Sequence, residues 1–152
     1  MKEIEGKLSA KGLKIALVAS RFNSFLVEQL VKGAADAFNR LGGDAAGLVL
    51  VRVPGAYEIP VTAKKLAASK KFDAVVGLGA VVQGATAHAA LINETTSRAF
   101  TEIALETGVP VVDGVVSAEN LEQAVERCGT KQGNKGFSAD RKSTRLNSSH
   151  SV

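Results

Sequence analysis

The chain has 152 residues, 45% hydrophobic and 22% charged, enough for one domain with a real core. One cysteine, Cys128, and two histidines, His88 and His150, exclude an internal disulfide and offer no metal-site spacing. The net charge of +4 does not make a nucleic-acid binder: of 19 basic side chains, Arg141, Lys142 and Arg145 stand in a polar tail, and the other 16 nearly balance 15 acidic ones.

Met1, Lys2 and Glu3 lead into no apolar stretch, so no signal peptide is expected. The longest uncharged apolar run, residues 74–82, is far too short for a bilayer. A cytoplasmic protein without a membrane partner is the expectation, and a single cysteine suits a reducing compartment. Residues 13–19 read as a first strand. Ser24 is placed to cap a helix in which Leu26, Val27, Leu30, Val31, Ala34, Phe38 and Leu41 recur at helical spacing, ended by Gly42 and Gly43. A second strand covers 48–53 and is broken by Pro54-Gly55. Pro60 suits the first turn of a second helix running to about Ser69.

Residues 73–82 are nearly continuously apolar, as a strand buried on both faces is. A loop at 84–87 opens a long helix from about His88 to Glu106. Residues 109–116 form a fourth strand, Ser117 is expected to cap a fourth helix through Arg127, and a fifth helix begins near Asn134. Alternation of strands and helices predicts an α/β fold: a three-layer α/β/α sandwich on a four-stranded parallel sheet. Residues 141–152 have no apolar period. They are expected to be a disordered, non-native tail on a domain of residues 1–140 whose last helix is cut short.

Ligands of an open parallel sheet bind beyond the carboxyl ends of its strands. That rule selects the loops at 20–23, 54–58 and 83–88 and the stretch around Asp113-Gly114. Phe22 and Tyr57 on these loops either stack on a flat heterocycle or pack beneath the chain. Gly84, Ala85 and Thr86 open a helix whose free N–H groups favour a phosphate. His88, beside that anion site, is either a proton carrier or a structural histidine. Arg127, Lys131 and Lys135, four residues apart, are either a solvated basic face or, at Arg127, a phosphate grip. Gly77-Leu78-Gly79 lies within a strand and lacks the third glycine of a dinucleotide fingerprint, since Val82 stands there. Residues 129–135 lack P-loop spacing, and Gly136 follows Lys135.

Four segments, at 19–23, 53–60, 84–88 and 122–136, stand in the order and spacing of one family. From Ile4 to about Ala139 the chain resembles the 6,7-dimethyl-8-ribityllumazine synthases. The resemblance implies a flavodoxin-like fold and a transferase of riboflavin biosynthesis. The reaction condenses 5-amino-6-(D-ribitylamino)uracil with 3,4-dihydroxy-2-butanone 4-phosphate, and needs no metal or redox cofactor. It implies stacking of the pyrimidine on Phe22, with Tyr57 nearby. The ribityl chain would be held by Ala56 and Glu58, and the uracil edge by the backbones of Val81 and Val82. It further implies phosphate binding at Ala85 and Thr86, proton shuttling by His88, and a neighbouring subunit's Arg127 on the phosphate. Lys135 has a structural or electrostatic part.

The resemblance also implies a homopentamer, in some relatives an icosahedral sixty-subunit cage, with the stretch at Ile4, Glu5 and Gly6 joining a neighbour's sheet. Riboflavin synthase is a candidate partner. The sequence departs from the family where Ala89, Ala90 and Leu91 follow the histidine in place of an aromatic, an acid and a bulky residue. Asp113 stands where phenylalanine lines the site, and Gln83 replaces a basic residue. These departures keep a second reading open: an impaired cage or flavin-binding scaffold. A third, an unrelated mononucleotide module, lacks its hydroxyl-rich loop at 20–23.

Overall fold

The computed structural model describes residues 1–83, 88–129 and 133–150, the last three by backbone alone. Four strands, β1 (Ile15–Ser20), β2 (Leu48–Val53), β3 (Ala74–Val82) and β4 (Val111–Ala118), form one parallel sheet in the order β2-β1-β3-β4. Among the described residues α1 (Ser24–Arg40), α2 (Ile59–Ala68) and α3 (His88–Thr107) connect them, and α4 (Leu121–Arg127) and α5 (Lys135–His150) follow β4. This is the expected three-layer α/β architecture.

Strand alternation decides which helix covers which face. Ile15, Leu17 and Ala19 of β1 pack with Val76 and Leu78 of β3 beneath α1, α4 and α5. Ala16 and Val18 of β1, with Val75 and Val115, pack beneath α2 and α3, where Phe100 and Ile103 enter. β1 and β3 are buried along most of their length because both faces are covered. Gly77 is glycine for a packing reason: a Cβ there would stand 2.6 Å from the Phe100 ring. β2 is an edge strand, with Val49 and Leu50 each about 40% exposed. Residues 1–10 have no regular secondary structure and leave Ile4 exposed.

Three local expectations need correction. Ser24 is the first residue of α1, not its cap; Asn23 holds that position in a left-handed conformation (φ 59°), which asparagine tolerates, and its side chain makes no capping bond. Ser117 does not cap α4. It lies inside β4, which runs two residues further than expected, and Asn120 is the cap, its side chain accepting from Gln123 N at 2.9 Å. The segment expected to be disordered from Arg141 onward continues α5 to His150. Its polar composition misleads because Ser143 and Thr144, with Ala139 and Asp140, lie on the helix face turned inward, and Asn147 Nδ2 donates to Asp73 O at 3.0 Å. No helix among the described residues is long and apolar enough to cross a membrane.

Candidate active site

A cavity of about 600 Å³ opens at the carboxyl ends of β1 and β3, on the α2/α3 side of the sheet. This is where the connections leaving β1 and β3 diverge, the crevice in which open α/β sheets hold ligands. Its floor is Ser20, Ala80, Val81 and Val82. One wall is Gly55, Ala56, Tyr57 and Glu58, a short 3-10 turn leading into α2. Phe22 and Asn23 form a second wall, and Ala89 and Ile92 of α3 a third. The rim is closed by Glu119, Asn120 and Leu121, between β4 and α4.

Backbone bonds hold the two aromatic loops together. Arg21 N donates to Val53 O at 2.8 Å and Phe22 N to Pro54 O at 3.1 Å, strapping the loop after β1 to the end of β2. Asn23 Nδ2 donates to Ala80 O at 2.8 Å, fixing the same loop to the tip of β3. The Phe22 and Tyr57 rings are therefore exposed (71% and 64%) on constrained backbone. Of the two uses left open for them, this exposure speaks against packing beneath the loops. Small residues keep the floor low: at Gly79 a Cβ would lie 3.1 Å from Ser20 Oγ.

Six of the residues singled out from the sequence thus meet in one cavity: Phe22, Ala56, Tyr57, Glu58, Val81 and Val82. His88 is the first residue of α3 and is exposed, one position before the cavity-lining Ala89. Ala85 and Thr86 lie outside the described residues, as does Lys131. Asp113, Arg127 and Lys135 do not line the cavity of their own chain. Asp113 is half-buried on β4, lower down the strand, and its carboxylate accepts from Val115 N at 2.8 Å.

Arg127 and Lys135 sit on the outer edge of β4. The Arg127 guanidinium donates to Ser117 O, and Lys135 Nζ donates to Val115 O at 2.6 Å. Edge-strand carbonyls without a neighbouring strand are thus capped by two cations from α4 and α5. Beside them, burial pushes the Cys128 thiol up to about 11, with the Lys135 charge pulling weakly the other way. On the β2 side, the Arg52 guanidinium bound to Glu28 holds that carboxyl below its ordinary value.

Sequence reasoning missed Glu119, Asn120 and Leu121. The signal was present: the rule that picked the other loops applies equally to the end of β4, but that end was placed at Val116.

A flavodoxin-like α/β protein with a small-molecule cavity at its sheet's carboxyl edge is the class that this fold and site define. The family model described as 6,7-dimethyl-8-ribityllumazine synthase matches residues 12–148. The 6,7-dimethyl-8-ribityllumazine synthase of Nitratidesulfovibrio vulgaris (strain DP4) is 50% identical over 139 residues, 91% of this chain and 89% of that protein. That of Chlorobium phaeobacteroides (strain DSM 266 / SMG 266 / 2430) is 50% identical over 139 residues, 91% and 90% of the two chains. That of Desulfotalea psychrophila (strain LSv54 / DSM 12343) is 53% identical over 133 residues, 88% and 86%. The chain belongs to the 6,7-dimethyl-8-ribityllumazine synthase family, and its function is that of this transferase of riboflavin synthesis.

Proposed function

We propose that the cavity binds 5-amino-6-(D-ribitylamino)uracil and 3,4-dihydroxy-2-butanone 4-phosphate side by side and joins them into 6,7-dimethyl-8-ribityllumazine. The amine attacks the ketone to give an imine, phosphate leaves, the ring closes and water is lost. The observation that carries this reading is the meeting of Phe22, Tyr57, Glu58 and the Val81–Val82 backbone around one cavity. A pyrimidine stacks on Phe22, its polar edge meets the backbone of Val81 and Val82, and Glu58 accepts from ribityl hydroxyls. Ala85 and Thr86 supply N–H groups to the phosphate, and His88 carries protons between amine, carbonyl and leaving water. Much of the acceleration comes from holding the two reactants together. No step is a net oxidation or reduction, so the reaction calls for no redox cofactor.

Arg127 and Lys135 lie on the far edge of the sheet from β2, away from their own chain's cavity. That placement supports their serving, with Asp113, the cavity of an adjacent copy in a cytoplasmic pentamer or a cage of pentamers. The extended segment around Ile4 and the exposed Val49 and Leu50 on β2 support strand exchange between neighbours. Riboflavin synthase, the consumer of the product, is the partner such an assembly would serve.

The test is the rate of lumazine formation from the two substrates by this chain and by His88→Ala. Turnover that falls at least tenfold in the variant supports the reading. Ala89, which faces the cavity where the family carries an aromatic, favours a second reading: ligand binding without turnover. An assembled protein that binds the pyrimidine but forms no product would establish that reading instead.

A further inference from the structure

We propose that Glu119 is the positioning residue for His88, supplying from the turn after β4 the carboxylate that helix α3 lacks. The proposal rests on His88 as the proton carrier.

Helix α3 begins at His88 and continues with Ala89, Ala90 and Leu91, so no acid neighbours the imidazole in sequence. The next acid on α3, Glu94, is paired with Arg98 at 2.9 Å in solvent. Glu58 stands across the cavity, on the wall before α2. Arg127, the nearest cation in the chain past β4, is committed to the Ser117 carbonyl on the outer edge of that strand. On the α3 side of the cavity, Glu119 is the remaining carboxylate of the lining. Among the described residues it forms no ion pair or side-chain hydrogen bond with its carboxylate, and its backbone is fixed because Glu119 N donates to Gln123 Oε1 at 3.0 Å.

The levels of the two residues follow from one fixed contact. Asn93 Nδ2 donates to Ser117 Oγ at 2.6 Å, tying α3 to the inner side of β4. Helix α3 runs antiparallel to the strands, so moving from Asn93 back to Ala89 and His88 climbs about 6–7.5 Å toward the cavity. Ser117 is followed by Ala118, the last residue of β4, and then by Glu119 in the turn that closes the cavity rim. His88 stands one turn above Ile92 and Ala89 one turn above Asn93, and both Ala89 and Ile92 line the cavity with Glu119. The fold thus brings a carboxylate on a held backbone to the rim beside which α3 begins.

A carboxylate beside an imidazole accepts one ring N–H, selects the tautomer whose other nitrogen faces the substrate, and favours the protonated ring. Losing it therefore slows proton transfer while substrate binding is kept.

The experiment compares kcat and KM for both substrates in the full-length protein, Glu119→Gln, Glu119→Asp, His88→Ala and the double variant His88→Ala/Glu119→Gln. Glu119→Gln is expected to lower kcat about tenfold with KM within twofold, and kcat to be partly restored in Glu119→Asp. In the His88→Ala background Glu119→Gln is expected to add nothing. Glu119 is exposed, so these variants fold as the parent does. A raised KM at unchanged kcat, or a full additive loss in the double variant, overturns the proposal while leaving His88 in place. A His88→Ala protein of undiminished rate removes His88 as proton carrier, and the proposal with it.

Discussion

Asn134 Nδ2 donates to Gln29 O at 2.8 Å, joining the entrance of α5 to the middle of α1 across most of the chain. The same amide donates to Cys128 O at 3.0 Å, and its Oδ1 accepts from Phe137 N at 3.1 Å. The site fits because its neighbours are glycines: a Cβ at Gly33 would collide with the amide, and one at Gly129 would stand 2.8 Å from Nδ2. Asn134→Ala removes three bonds worth about 0.5–1.5 kcal/mol each and leaves Gln29 O and Cys128 O short of a donor. A loss of about 2–4 kcal/mol in urea unfolding is expected, with faster hydrogen exchange concentrated in α5. A change within 0.5 kcal/mol would show that water replaces the amide at no cost.

Asp140 gives α5 a pH dependence. Its side chain is fully buried, neither carboxylate oxygen has a hydrogen-bond partner among the described residues, and burial raises its pKa from 3.8 to about 7. The native state therefore holds a proton that the unfolded chain releases near pH 4. Stability contributed by the neutral acid is whole below about pH 4, declines as pH rises toward 7, and is level above that, by an amount on the order of a few kcal/mol. Unfolding free energies measured from pH 4 to 8 should show this decline, and Asp140→Asn, which cannot ionise, should flatten it. An equal slope in the variant assigns the dependence to another group.

Cys128 is expected to be chemically silent in the native protein. It is 1% exposed, and a thiol titrating near 11 has almost no thiolate at neutral pH. A thiol reagent at pH 7.5 should label it only at the rate of unfolding, and labelling in urea should be immediate. Rapid labelling without denaturant would mean that α4 and α5 open readily.

Phe22→Ala tests the stacking wall. The ring is exposed and its loop is held by backbone bonds, so truncation leaves the fold intact. Loss of a stacked contact worth about 0.5–1.5 kcal/mol beyond its buried area should raise KM for the pyrimidine substrate about tenfold, with KM for the butanone phosphate within twofold. An equal rise for both substrates would place Phe22 at the phosphate side instead.

The parallel sheet and the floor of the cavity were legible in the sequence because buried strands advertise themselves as apolar runs, as residues 74–82 do. Positions decided by geometry rather than composition were not. Ser24 and Ser117 looked like caps by residue type, but Asn23 and Asn120 held the cap positions, one in a left-handed turn and one beyond a longer strand. The helix through 141–150 was hidden because Ser143 and Thr144 are buried in spite of their hydroxyls. The Gly77 and Gly79 pair, which resembles half a nucleotide fingerprint, is explained by the Phe100 ring and Ser20 Oγ pressed against it, contacts that no local pattern encodes.

The strand order has a consequence for how the protein is made. β2 joins one side of β1, β3 joins the other, and β4 joins β3, so each strand docks on an open edge and none is inserted between strands already paired. Among the described residues, those of the chain's own that line the cavity lie between Ser20 and Leu121. During synthesis the sheet can therefore grow outward in the order of translation, and the walls that a chain gives to its own cavity are made before α5 leaves the ribosome to close the opposite face.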